Sequence, residues 1–298
     1  VSVPRNLCVP VPDGVELADA AFTTVGAIAM NGVRQAAVAV GDSVLVIGLG
    51  LVGLLGVQIL KAAGCRVIGV ALDPLKVELA LRCGAELALV RDAGGIEETI
   101  VKATGGIGPD VAYIAASTKS ADPMDLAGKV VRDRGRVAIV GMVPVQADWQ
   151  TYYDKELSVV MSRSYGPGRY DRNYELKGID YPVGYVRWTE GRNMAEFLRL
   201  IAAGAIAPRR LEPQVFSFDR APEAYQQLHD SPGRHAVGML FEYPAEAPCT
   251  RRVACGSVSS DPVAGTVGVG LIGAGNFTTA TLIPALKKCG GVRLVAIC

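Results

Sequence analysis

Between Val44 and Leu87 the hydrophobic period alternates through four segments, and this alternation restricts the fold more than any other feature of the chain. SVLVIGLG is a short continuous apolar run, LVGLLGVQILKAAG has helical spacing, CRVIGVALD is a second strand run and PLKVELALRCGAE a second helix. The pattern continues through LALVRD, IEETIVKATGG, DVAYIAAS, PMDLAGKVVRDRG, RVAIVGMV and KELSVVMSRS. Six strand runs alternating with helices predict an α/β fold, a doubly wound parallel sheet covered by helices on both faces. Pro74 stands at a first helical position after Asp73, and Gly64, Gly84 and Gly135 stand where helices should stop.

At the junction of the first strand and the first helix of this series, Gly48, Leu49, Gly50, Leu51, Val52 and Gly53 spell GxGxxG. A dinucleotide pyrophosphate needs a tight turn, close backbone approach and the free N–H groups of a helix N-terminus at this point, and the strand, helix and second strand follow within the span of a Rossmann unit. The acidic partner for the ribose hydroxyls is expected at the tip of the second strand. Eighteen residues past Gly53 stands Ala71, with Asp73 two residues further on. Asp73 either reaches the ribose or caps the helix that begins at Pro74. Asp73, with no Arg directly after the strand, favours NAD over NADP, although Lys76 and Arg91 could approach a 2′-phosphate.

Composition excludes several other classes. The 298 residues suffice for about two domains. Thirty Lys and Arg against 29 Asp and Glu leave no field to hold a nucleic acid backbone or an anionic membrane. No apolar run is long enough to span a bilayer, since even Ser43 to Leu60 is broken by Gly48, Gly50, Gly53, Gly56 and Gln58. Seven scattered cysteines, at 8, 65, 83, 249, 255, 289 and 298, point to a reducing compartment and a cytoplasmic protein. No metal site is predicted: Cys249 and Cys255 lack a second pair, and His229 and His235 flank a Ser-Pro-Gly turn. GxSxG, HExxH and P-loop motifs are missing as well.

Before the alternating unit, NLCVPVPDGVELADAAFTTVGAIAMNGVRQA reads as a strand followed by a helix or helix pair. After it, seven of the ten tyrosines (Tyr152, Tyr153, Tyr165, Tyr170, Tyr174, Tyr181 and Tyr185) gather between 152 and 185. Arg163, Arg169, Lys177, Arg187 and Arg192 offer anion or hydroxyl contacts there, and Tyr185 and Trp188 offer flat faces for a sugar-like ring. A substrate wall and a packed surface excursion or subunit interface both fit this segment. MAEFLRLIAAGAI then reads as a helix and AVGMLFEY as a terminal strand. Residues 244–266, rich in Pro, Gly, Ser and Ala, read as a linker. Beyond them VGVGLIGAGNFTTATLIPALKKCGGVRLVAIC opens a second strand–turn–helix–strand, in which Gly273, Gly275, Asn276 and Phe277 repeat the nucleotide-binding signal but Thr278 replaces the third glycine. An ordinary strand-to-helix turn is the other reading of that stretch. The chain starts at Val1 and ends directly after an apolar run, as a fragment would.

From about residue 1 to 243 the chain resembles the medium-chain dehydrogenase/reductase family, the zinc-type alcohol dehydrogenase relatives, through VPDGVELADAAFTTVGAIAMNGVR, GDSVLVIGLGLVGLLGVQILKAAGCRVIGV, TGGIGPDVAYIAAS, GRVAIVG and KELSVVMSRSYG. Residues 267–298 resemble the first βαβ of the Gfo/Idh/MocA sugar oxidoreductases, and the combination is similar to bacterial bi-domain oxidoreductases. The resemblance implies that residues 1–20 end a GroES-like catalytic domain, that 21–162 form the dinucleotide-binding domain and that 163–243 return to the catalytic domain. It implies that Thr24, the Gly48 to Gly53 turn, Ala115, Ala116, Gly141 and Met142 line the cofactor. Two departures stand out: Ala71 replaces the acidic residue usual at the second strand end, and the segment that carries zinc ligands in the alcohol dehydrogenases is absent.

The expected activity is hydride transfer between NAD or NADP and an alcohol or carbonyl, of a sugar or sugar nucleotide, with a small-molecule substrate and no nucleic acid or membrane partner. The alternatives are a non-catalytic nucleotide-binding or scaffold module and a zinc-free quinone- or enoyl-reductase-like activity. A homodimer is a further expectation, since LSVVMS could leave a sheet edge that pairs across a twofold axis.

Overall fold

A computed structural model describes residues 2–230, 237–244 and 264–297. The chain divides into two compact units, Val1–Tyr243 and Pro244–Cys298. His235, Cys249, Cys255, Cys298 and most of the expected linker lie outside the described residues.

The first unit opens with a short 3₁₀ turn, Arg5–Leu7, where the sequence suggested a strand. Pro4, Pro10 and Pro12 remove the ladder donors that a strand would need. Two helices follow, α1 (Leu17–Ala20) and α2 (Thr23–Ala36), and then the alternating series: β1 (Ser43–Ile47), α3 (Leu51–Ala62), β2 (Arg66–Ala71), α4 (Pro74–Arg82), β3 (Leu87–Val90), α5 (Ile96–Ala103), β4 (Val111–Ile114), α6 (Asp122–Val130), β5 (Arg136–Ile139), α7 (Trp149–Asp154) and β6 (Ser158–Met161). The strands form one parallel sheet in the order β3-β2-β1-β4-β5-β6. The predicted α/β Rossmann sheet is therefore the observed one. It explains the unbroken apolar runs, because each central strand is covered twice. Val44 and Val46 of β1 pack with α2, α3 and α9 (Glu190–Ala202), while Leu45 and Ile47 pack with α5 and α6.

Beyond β6 the chain forms α8 (Arg172–Glu175), α9, β7 (Gln214–Ser217), α10 (Ala221–Asp230) and β8 (Met239–Glu242), with β7 and β8 paired in a small parallel sheet. Buried polar contacts tie this return segment to the rest. Asp19 of α1 accepts from the backbone N and Nε of Arg209, and Gln58 of α3 accepts from the Ala207 N–H. Asn6 donates to the Tyr174 carbonyl of α8.

The helix stops do not all follow the glycine pattern. Gly64 and Gly84 have φ of +86° and +109°, as a left-handed helix end requires. Gly135 does not: α6 ends five residues earlier, and Arg134 takes the left-handed conformation at φ +59°. The Lys155 ammonium supplies the stop by donating to the carbonyls of Gly128, Lys129 and Val131. Gly135 serves close approach instead, since a Cβ there would lie 2.3 Å from the Val131 side chain.

The second unit is a βαβ in itself. β9 (Val267–Leu271) and β10 (Val292–Ile297) pair in parallel, joined by a widened π-type turn, Thr278–Leu282, that runs into α11 (Ile283–Lys288).

Tyr113 of β4 is fully buried and donates its hydroxyl to the Ala29 carbonyl of α2, 3.1 Å away. Tyr113→Phe should lower stability by about 1 kcal/mol in urea unfolding. A variant as stable as the parent would show that this bond adds nothing to the seating of α2 on the sheet.

Candidate dinucleotide site

The sheet order places a topological switch between β1 and β4, where one strand continues into α3 and its neighbour turns the other way. The Gly48 N–H donates to Val70 and the Ala115 N–H to Ile47, so the strand ends stay paired up to the point of divergence. The three glycines then have separate tasks. Gly48 has φ +95°, and a Cβ there would stand 2.6 Å from the Ala116 backbone. A Cβ on Gly53 would fall 1.9 Å from the Gly48 carbonyl oxygen. Gly50 is different: its backbone is extended, and a Cβ would meet nothing within 4 Å.

That open position lies at the N-terminus of the 12-residue α3, whose first turn carries no acidic side chain and no side-chain cap. Orphan N–H groups and the positive end of the helix dipole meet there, so the donors present fit an anionic diphosphate. Leu51 and Val52 border the opening half-buried, whereas Leu49 is buried beneath the turn against Gly69.

Across the switch the ends of β4 and β5 are zipped together. Gly141 donates to Ile114, Met142 to Ala116, and Thr118 to Met142. A Cβ at Gly141 would lie 2.0 Å from the Ala116 oxygen. Ala115 and Ala116 are half-buried beside the glycine turn, Met142 is exposed, and Thr24 is exposed on the first turn of α2. The structure thus brings Gly48, Gly53, Ala115, Ala116, Gly141 and Met142 to one end of the sheet.

Other expected residues fare differently. Asp73 caps α4, accepting from the Leu75 N–H at 2.9 Å, which realises the capping reading. Arg91 is held by both carboxylate oxygens of Asp122, so its guanidinium is already matched. Trp188 offers no bare ring for a sugar: the guanidinium carbons of Arg34 and Arg187 lie 3.3 Å and 3.8 Å from its centroid. Tyr185 is 91% exposed on a turn. In the second unit, Gly273 has φ +92°, a Cβ on Gly275 would meet nothing within 4 Å, and Asn276 and Phe277 are exposed.

Sequence reasoning missed two buried amides. Asn31 donates to the Ser162 hydroxyl and to the carbonyls of Arg163 and Ser164, and Asn193 donates to the Tyr165 carbonyl while accepting from Arg34. Together they hold the loop that leaves β6. Their only sequence signal is an amide set among apolar helical residues, as in AIAMNGV. Glu190, at the start of α9, is also fully buried, and neither carboxylate oxygen has a hydrogen-bond partner among the described residues. Burial raises its pKa from the usual 4.5 to about 7, the Glu175 carboxylate adding to the effect and Arg169 opposing it. Among the described residues no three His, Cys, Asp or Glu side chains converge as a metal ion requires.

Two sets of variants check this geometry. Gly50→Ala should change unfolding stability by less than about 1 kcal/mol, whereas Gly53→Ala should cost about 2 kcal/mol or more; equal effects in urea titrations would contradict the division of tasks. Glu190 favours the folded state while protonated, so its contribution is complete below pH 4.5 and is lost as pH rises towards 7. Glu190→Gln should flatten that decline and be the more stable protein at pH 8, by on the order of 2 kcal/mol. Parallel stability profiles for variant and parent between pH 4 and 8 would refute the assignment.

Comparison with known proteins agrees with the fold. Residues 52–176 match the zinc-binding dehydrogenase family model. D-guloside 3-dehydrogenase of Shigella flexneri is 27% identical over 234 residues, 76% of this chain and 62% of that protein. Sorbitol dehydrogenase of Bacillus subtilis is 30% identical over 224 residues, 73% of this chain and 55% of that protein. The chain thus spans about 60% or less of the length of these relatives. An alcohol dehydrogenase of Escherichia coli CFT073, solved with NADH, superimposes with a TM-score of 0.60 at 23% identity, covering 76% of this chain and 60% of that one. Residues 52–176 are thus similar to the zinc-binding dehydrogenases, the zinc-type, alcohol dehydrogenase-like medium-chain proteins.

Proposed function

We propose that the first unit is the cofactor-binding part of an NAD(P)-dependent oxidoreductase that moves a hydride between nicotinamide and an alcohol or carbonyl carbon of a sugar or polyol. The observation that carries this reading is the open space at Gly50, framed by two glycines that admit no side chain and set at an uncapped helix N-terminus. The N–H groups of Leu51, Val52 and Gly53 would hold the diphosphate, and Thr24, Ala115, Ala116, Gly141 and Met142 would border the rest of the cofactor. A bound nicotinamide supplies the redox chemistry, and the protein orients it. The engagement of Arg91 by both carboxylate oxygens of Asp122 supports NAD over NADP. The substrate class rests on relatives that are guloside and sorbitol dehydrogenases. The βαβ of the second unit, with a left-handed Gly273 after its first strand, supports reading it as the start of a Gfo/Idh/MocA-type nucleotide-binding domain.

Fluorescence titration of the chain with NADH and NADPH tests the reading, alongside Gly50→Asp, whose carboxylate would occupy and repel the diphosphate position. Saturable binding that weakens about tenfold or more in the variant is expected, with NADH the tighter ligand. A folded chain that binds neither nucleotide would defeat the proposal, and binding indifferent to the substitution would move the site elsewhere.

A further inference from the structure

The loop that leaves β6 carries more internal constraint than a connection needs. Within seven residues, Ser164, Gly166, Gly168 and Tyr170 all take positive φ, and two of them are not glycine. A left-handed Ser and Tyr are costly, and they persist because the surroundings hold them. Asn31 and Asn193 fix the loop backbone from below, and Glu175 accepts from the Tyr170 N–H.

The segment 162–192 holds six Lys and Arg against four Asp and Glu, and the structure sorts those cations. Arg169 is paired with Glu175, and Arg192 with Asp180 and the Tyr181 carbonyl. Arg187 stacks on Trp188 together with Arg34. Arg163 is exposed, its guanidinium carbon lies 4.4 Å from the Tyr170 ring centroid, and it has no carboxylate partner among the described residues. Its place just beyond the sheet gives that charge a use. The β5–β6 register pairs Ile139 with Met161 as the last residues of two neighbouring strands, so Gly141 and Arg163 each stand two residues past the same pair, off the carboxyl ends of these strands. Ligands of doubly wound sheets lie outside these carboxyl ends.

We infer that Arg163 is a specificity-determining residue that holds an oxyanion, a carboxylate or a phosphate, borne by the sugar or polyol substrate. Tyr170 keeps the guanidinium at the strand end by stacking, which leaves the edge N–H groups of the planar fork to bind the oxyanion in bidentate fashion. The inference deepens the proposed function and rests on it.

The test titrates the NADH-loaded chain with D-glucuronate, D-glucose 6-phosphate and D-glucose, for the parent, Arg163→Gln, Arg163→Lys and Tyr170→Phe. One of the two anionic sugars should bind about tenfold or more tightly than glucose, and which one does so names the oxyanion. Arg163→Gln should bring that sugar within about twofold of glucose while leaving NADH affinity unchanged. Arg163→Lys should keep part of the preference, and Tyr170→Phe, which retains the ring, should keep all of it. Three sugars bound alike, none bound, or a preference that survives Arg163→Gln would overturn the inference while NADH binding left the cofactor reading intact. A loss of NADH affinity in Arg163→Gln without loss of the preference would reassign Arg163 to the cofactor. Failure of the parent chain to bind NADH would remove both readings together.

Discussion

The carbonyl oxygen of Gly48 occupies the space a side chain at residue 53 would need, and most of the site depends on that single steric fact. It lets the first turn of α3 pack directly onto the turn that leaves β1. The helix N-terminus is thereby brought to the strand end, and Gly50 is left as the residue that faces open space. The central location of β1, between β2 and β4, makes this arrangement possible. A helix leaving an edge strand would have no diverging neighbour and therefore no crevice.

Much of the fold was legible because both faces of the sheet are covered. A strand buried on both sides must be apolar at every position, and its sequence then contrasts sharply with the amphipathic helices between the strands. The glycine turn was legible for a related reason, as only glycine meets the steric demands at residues 48 and 53. The N-terminal stretch was misread because Val9 and Val11 suggest a strand where the intervening prolines forbid one. The end of α6 was misread because its stop comes from Lys155, a side chain distant in sequence, and no local pattern reports such a partner.

The tyrosine- and arginine-rich segment was the least legible. Its residues were recognised as polar and aromatic contact makers, but which of them face one another is a property of tertiary structure. Trp188, attractive as a sugar platform in the sequence, is taken up by two guanidinium groups, and Arg169 and Arg192 are neutralised by nearby acids. Asn31 and Asn193 escaped notice because a buried amide looks like any other helical residue until its partners are placed. Each donates its amide to loop carbonyls, which converts a connection rich in left-handed residues into a defined surface.

The Lys155 cap has a consequence for how the sheet comes apart. One ammonium satisfies three terminal carbonyls of a helix that ended some 25 residues earlier in the chain. Detaching the stretch between α7 and β6 therefore exposes the last turn of α6 as well, and neither can loosen alone without leaving polar groups unmatched. The two segments form one cooperative opening unit at the β5–β6 side of the sheet, so the end of α6 is a product of tertiary assembly and would fray in any partly folded form that lacks β6.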